Sequence, residues 1–290
     1  GAPGISLVQA DTFAVRGAGA RVEDLRGDLP VMGLSGLSVE GRAVRITMGA
    51  KRSGVRLALG DAALSFDSLM TQLPDGDVLT IGATRLSRAG RQGLVEGLRL
   101  QPAPEGASDT GQQRRPVIGL VIDSIRLTGF DVDHLIAYQA LRIGHLELLD
   151  ARLEVVLDKT LPKGTPVPRP LPTTALREMS FMVQVDTLTV RRASALYREL
   201  DGDTRRWGEV FFRHLEGRFT HVTNFGPAIA EHPRMEGGFS GLLFDSARVS
   251  GRYTADLDGS DRFTVMATAT GLPLRTLNSA TRPLLRIQVN

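Results

Sequence analysis

The chain has 290 residues, 42% of them hydrophobic and 23% charged, which is enough to bury a substantial core in one or two folded units. Its 35 basic and 32 acidic residues leave a net charge of only +3. The pairs Arg114-Arg115, Arg191-Arg192 and Arg205-Arg206 are too scattered to form a phosphate track, which argues against nucleic acid as a partner. The lack of cysteine excludes disulfides and thiolate metal sites, and no apolar run approaches the roughly 18 residues of a membrane helix.

The first predicted strand, LVQADTFAVRGAGARV (Leu7–Val22), alternates apolar and polar residues, the mark of a strand with one buried face. It returns as MVQVDTLTVRRASALY (Met182–Tyr197), with eight of sixteen aligned positions identical, Asp11-Thr12 and Asp186-Thr187 among them. With Φ for an apolar residue, both copies follow Φ-x-Φ-[D/S/G]-x-Φ-x-Φ. The pattern also starts at Met32, Leu57, Leu120, Leu141 and Leu242, and the intervals suggest a unit of about 21–25 residues. Parity changes at its centre: Val183 and Val185 are odd, Leu188 and Val190 even. Either an extra residue at Asp186 or Thr187 bends the strand and keeps one face inward, or one strand ends there and the other half turns a corner.

In chain order, strands are expected at Arg42–Met48 and Val55–Leu59, then a short helix at SLMTQL (Ser68–Leu73) and a turn at PDGD (Pro74–Asp77). Gln101–Pro116 is a polar loop. DVDHLIAYQALRIG (Asp131–Gly144) reads as a helix capped by Asp133, with Leu135, Ile136, Tyr138 and Leu141 apolar and Gly144 as its stop. A strand follows at Ala151–Leu157, then the proline-rich LPKGTPVPRPLP (Leu161–Pro172), expected as an extended spacer. Further strands are expected at Gly208–Phe212, Gly217–Val222, Ala247–Ala255 and Arg262–Thr268, with turns at LDGD (Leu200–Asp203) and LDGSD (Leu257–Asp261). The closing PLLRIQVN reads as an interrupted strand, as in a piece of something longer. The expected fold is mainly β: an elongated, curved antiparallel meander of bent hairpins with one or two short helices. Residues 1–116 and 117–290 form two continuous segments of it.

Reaction chemistry is not legible. His134, His145, His214, His221 and His232 form no ligand cluster. The stretch DLDGSD (Asp256–Asp261) has Ala267 where a calcium loop needs glutamate. GLSG and GFSG lack the spacing of a nucleophile elbow, and GAKRSG misplaces Lys and Ser for a phosphate loop. Neither enzyme activity, metal nor cofactor is expected.

Three stretches carry a resemblance: DVDHLIAYQALRIGHLELLDARLEVVLD (Asp131–Asp158), FMVQVDTLTVRRASALYREL with WGEVFFRHLEGRFTHVTN (Phe181–Leu200, Trp207–Asn224), and GLPLRTLNSATRPLLRIQV (Gly271–Val289). A short helix leads into alternating strands, and a Tyr-acid pair (Tyr197, Glu199) precedes a hairpin and an Asn-ended strand. The cadence resembles the bacterial AsmA-like proteins, including the TamB type, over the second half of the chain. The departures are the long proline-rich insert and the lack of an N-terminal membrane helix. The resemblance implies a half-open repeating β-groove with an apolar inner surface, in the periplasm or cell envelope, anchored through a segment outside this chain. It implies lipid transport or outer-membrane assembly, with phospholipid or another acyl lipid and inner- and outer-membrane proteins as partners. On that reading Val183, Val185, Leu188, Val190, Ile122, Ile125, Leu127 and Phe211 line the groove, and Arg126, Glu147, Glu154 and Arg218 keep its exterior wet. The alternative is a structural or adhesive β-scaffold whose apolar face is a closed core and whose sheet edges bind protein partners.

Overall fold

Period-two alternation yields sixteen strands in a single sheet among the described residues. The computed structural model describes residues 6–22, 32–48, 55–58, 61–73, 76–102, 114–163, 172–179 and 181–289. In order these form β1 (Ser6–Val22), β2 (Met32–Met48), β3 (Val55–Ala58), β4 (Asp61–Phe66), β5 (Ser68–Gln72), β6 (Val78–Ile81), β7 (Thr84–Ser87), β8 (Gln92–Gln101) and β9 (Pro116–Thr128). There follow α1 (Val132–Tyr138), β10 (Ala140–Leu149), β11 (Arg152–Asp158), α2 (Pro172–Arg177), β12 (Met182–Leu200), β13 (Trp207–Thr223) and α3 (Gly226–Glu231). The chain continues through β14 (Arg234–Leu243), β15 (Ala247–Asp256), β16 (Phe263–Thr270), a 3-10 turn (Leu274–Leu277) and α4 (Asn278–Leu285).

The short strands share rungs. β3, β4 and β5 lie end to end along β2, β6 and β7 along β8, and β10 and β11 between β9 and β12. Counted this way the sheet has twelve rungs, from β1 at one free edge to β16 at the other. At about 4.8 Å per spacing it extends roughly 53 Å across its strands. Neighbouring rungs are antiparallel, with one correction to the expected meander: β12 runs parallel to β10 and β11. Its connection from β11 is long and carries α2, and a parallel pair needs a crossover of that kind.

The repeated strand reappears as a repeated bend. In β1 the register shifts between Val15 and Ala18, and in β12 between Val190 and Ala193, the same place in the two copies. The residues inside these bulges, Gly17 and Arg192, have φ of 65° and 51°, and their hairpin partners Gly36 and His214 have 66° and 51°. Irregularities line up across the sheet through Gly17, Gly36, Asp67, Gly82–Ala83, Gly97, Asp150–Ala151, Arg192 and His214, forming a crease. A second interruption falls at Gly144, Asp186 and His221, where Ile143, Val185 and Val222 pair regularly and then His145, Thr187 and Thr220 do so again. Register is preserved because adjacent strands are interrupted together. Val185 and Leu188, of opposite parity, therefore pack in one cluster. The expected interruption falls at Asp186 but without the register shift of a bulge; the bulge at Arg191–Arg192 is additional.

Several expected elements are corrected. Ser68–Gln72 is β5, paired with β2 on one side and β6 on the other, since one turn of helix cannot outweigh two strand ladders. The helix expected over Asp131–Gly144 is confined to α1. Its cap is Asp131 rather than Asp133, the carboxylate accepting the His134 N–H at 2.9 Å, and Gln139 in the left-handed region ends it. Leu141 belongs to β10. The two strands expected at Gly208–Phe212 and Gly217–Val222 are one, β13, bent at His214. Pro283, Leu284 and Leu285 of PLLRIQVN are helical, in α4. The Asp-Gly turns at Leu200–Asp203 and Leu257–Asp261 join β12 to β13 and β15 to β16, while Pro74 and Asp75 of the expected turn between β5 and β6 lie outside the described residues. Most of the polar loop (103–113) and of the proline-rich stretch (164–171) lies outside the described residues.

The main core gathers Leu127, Ile143, Val183 and Val185 from β9, β10 and β12 and Phe130 from the link between β9 and α1, with Val132 of α1 and Leu176 of α2 against it. It is thin. Among the described residues no large side chain is completely sealed. The surface of 18471 Å² compares with roughly 12,000 Å² for a compact protein of this mass.

Candidate functional site: an apolar trough across the sheet

Residues directly opposite each other on neighbouring strands share a face. Starting from Val15, the partners run Val39, Leu64, Leu86, Gly93, Leu127, Leu146, Leu188, Phe219, Gly237, Tyr253 and Val265, one residue from each of the twelve rungs. None is charged. The two glycines do not interrupt the row, because a neighbour fills the space above each. A Cβ on Gly237 would come within 2.2 Å of the Phe219 ring, and one on Gly93 within 2.5 Å of Leu86. A second row, one pleat along, runs Val95, Ile125, Leu148, Val190, Gly217, Phe239, Gly251 and Ala267, with the Phe239 ring lying over Gly251. The two rows form a continuous apolar strip.

The opposite face is polar. There the partners run Arg126, Glu147, Thr189, Arg218, Gly238, Arg252 and Met266. Glu147 accepts from Arg191 at 2.6 Å and sits 3.6 Å from Arg126. The crease is charged as well. Arg192, held in the left-handed region, grips Asp150 through two hydrogen bonds of 2.8 and 2.5 Å. That guanidinium holds the Asp150 carboxyl below the usual carboxylate range.

Towards β16 the strip deepens into a cleft of about 690 Å³, lined by Leu188, Phe219, Val222, Met235, Phe239, Tyr253 and Val265 and overhung by Ala175, Leu176 and Met179. Two anchors hold α2 over it. Asn224 donates to the carbonyls of Leu176 and Phe181 at 2.9 and 3.0 Å and accepts the Val183 N–H at 2.6 Å. At the β15–β16 turn Asp261 accepts from Thr174 and Arg177 at 2.7 and 3.1 Å, and these bonds lower its pKa. Tyr253 is the cleft's single polar-tipped side chain, and burial pushes its phenol pKa upward.

The residues expected to line a groove divide three ways. Leu127 and Leu188 lie in the first row, where Leu127 is also a buried member of the main core, and Ile125 and Val190 lie in the second. Val183 and Val185 are core residues that support Leu188 from beneath the α2 end. Ile122 and Phe211 lie beyond the crease, opposite Leu98 and Leu196, and belong to neither row; Phe211 packs edge-on against Phe244 with ring centres 5.3 Å apart. Of the expected exterior residues, Arg126, Glu147 and Arg218 share the polar row, while Glu154 is exposed on β11. Phe219, Phe239, Tyr253 and Leu146 were not anticipated, although the glycines in GRF and GGFSG were the available signal for rings lying over them.

Among the described residues no three His, Asp or Glu side chains gather to hold a metal ion, and no helix is long and apolar enough to cross a membrane. Comparison with known proteins gives no matching family model and no matching curated protein.

Proposed function

We propose that this chain is a non-enzymatic segment of a cell-envelope protein whose apolar strip receives the acyl chains of phospholipid, for lipid transport or outer-membrane assembly. The observation that supports the reading is the row from Val15 to Val265, which crosses every rung without a charge. An acyl chain of about sixteen carbons left in water costs on the order of 13 kcal/mol, at about 0.8 kcal/mol per methylene. A strip that stays apolar from rung to rung removes most of that cost at each position along it. No residue need react; the work is done by keeping one face greasy and the other wet.

The test is a photo-crosslinking side chain placed at Leu188 on the strip or at Arg218 on the polar face, in protein exposed to phospholipid vesicles. Crosslinks to lipid are expected at the first position and not the second, and native mass spectrometry should find phospholipid bound to the purified chain. A Leu188→Asp variant should remain folded by circular dichroism and lose bound lipid. Equal labelling at both positions, or unfolding of Leu188→Asp, would indicate a closed scaffold instead.

A further inference from the structure

The two free edges of the sheet are not alike. β1 carries Arg16, ion-paired to Glu40 at 2.9 Å, and the Gly17 bulge with its register shift. A charge and a bulge are among the devices by which sheets protect an edge from pairing. β16, FTVMATAT, has none of them. It contains no charged residue and no proline, its eight residues pair with β15 without a shift, and every one is exposed. Among the described residues none pairs with its outer side. After Gly271, with φ of 71°, the chain turns away, and α4 docks on β13, where Leu284 fills the space above Gly208 and the Ser279 hydroxyl donates to the Glu209 carbonyl at 3.3 Å.

We infer that β16 is an association edge on which a second copy of this chain pairs antiparallel through its own β16. A second copy offers a strand as unguarded and uncharged as β16 itself, which β1 of the described chain does not. A strand already ordered in a folded sheet also avoids most of the entropy lost when a flexible peptide is fixed. Two β16 strands related by a dyad normal to the sheet, with Met266 facing its counterpart, set Val265 opposite Ala267 and Phe263 opposite Ala269. That arrangement keeps both apolar faces on one side, so the strip of one copy runs on into the strip of the next. The interface is isologous and closes at two copies.

Sedimentation velocity on the whole chain, from about 1 to 100 μM and without lipid, tests this. The wild type is expected to dimerise. Met266 is 65% exposed, so Met266→Lys and Met266→Glu should keep the wild-type circular dichroism. Each should weaken the dimer by at least about tenfold through like charges placed face to face, and an equal mixture of the two should associate again as a heterodimer. A wild type that stays monomeric would overturn the inference. So would dimers indifferent to either substitution, or open-ended assemblies using β1. No outcome depends on whether lipid binds.

Discussion

The hairpins β1–β2 and β12–β13 are the same device in two settings. Each pairs two 17- to 19-residue strands, each shifts register twice in succession around one alanine, Ala18 or Ala193, and each places two residues there with φ near +50 to +66°. The first hairpin uses Gly17 and Gly36; the second uses Arg192 and His214. The bend therefore belongs to the position, and glycine is only the least strained way to occupy it. Arg192 compensates for its backbone with the paired bonds to Asp150, which itself has φ of 55°. The surroundings differ more than the hairpins do. β12 has Val183 and Val185 in the main core with α2 above, while β1 lies at the sheet edge with Val15 45% exposed. One copy anchors the fold, and the other extends it.

The largest effect that would test this contrast is a charge placed in each copy. Val185 is 3% exposed, so Val185→Asp should cost on the order of 3–5 kcal/mol in urea unfolding. Val15→Asp should cost less than about 1 kcal/mol. Comparable losses would mean that the edge copy is as much core as the central one. Exchanging the bend residues comes next. Gly36→Ala combines a positive φ with a Cβ 2.1 Å from the Asp67 carboxylate, and should destabilise by about 1–2 kcal/mol. His214→Gly, relieved of its left-handed backbone, should shift stability by less than about 1 kcal/mol, towards stabilisation. The smallest effect is in acid. The folded pKa of Asp150 is depressed by Arg192, so its contribution is present above the unfolded value near 3.8 and is lost as pH falls through the lower folded value. Asp150→Asn should flatten the stability profile below about pH 4 and leave its slope at neutral pH unchanged. An acid profile identical to wild type would show that the ion pair does not support the crease.

Much of this architecture was legible because period-two alternation is a local signal. The self-match of Leu7–Val22 with Met182–Tyr197 located the repeated hairpin, and the parity change in VQVDTLTV located the interruption at Asp186. The bend at Arg192 was not visible, because Arg191-Arg192 looks like surface charge and its explanation, Asp150, lies at the break between β10 and β11, brought alongside β12 only by the parallel crossover. SLMTQL misled because a short apolar run suits helix or strand alike, and two flanking ladders decided the matter. Of the site, Leu127, Leu188, Ile125 and Val190 were recoverable from alternation. The placement of Ile122 and Phe211 beyond the crease was not, since it depends on where a bulge resets the faces.

The alignment of the interruptions constrains how such a chain can change length. Removing Arg192 alone would invert the facing of the rest of β12 against β11 and β13, turning side chains inside out from Ala193 to Leu200. A single-residue deletion in mid-strand is thus tolerated only if its neighbours lose their matching residue as well. Growth and shrinkage are easiest by whole hairpins, which leave every remaining strand in step.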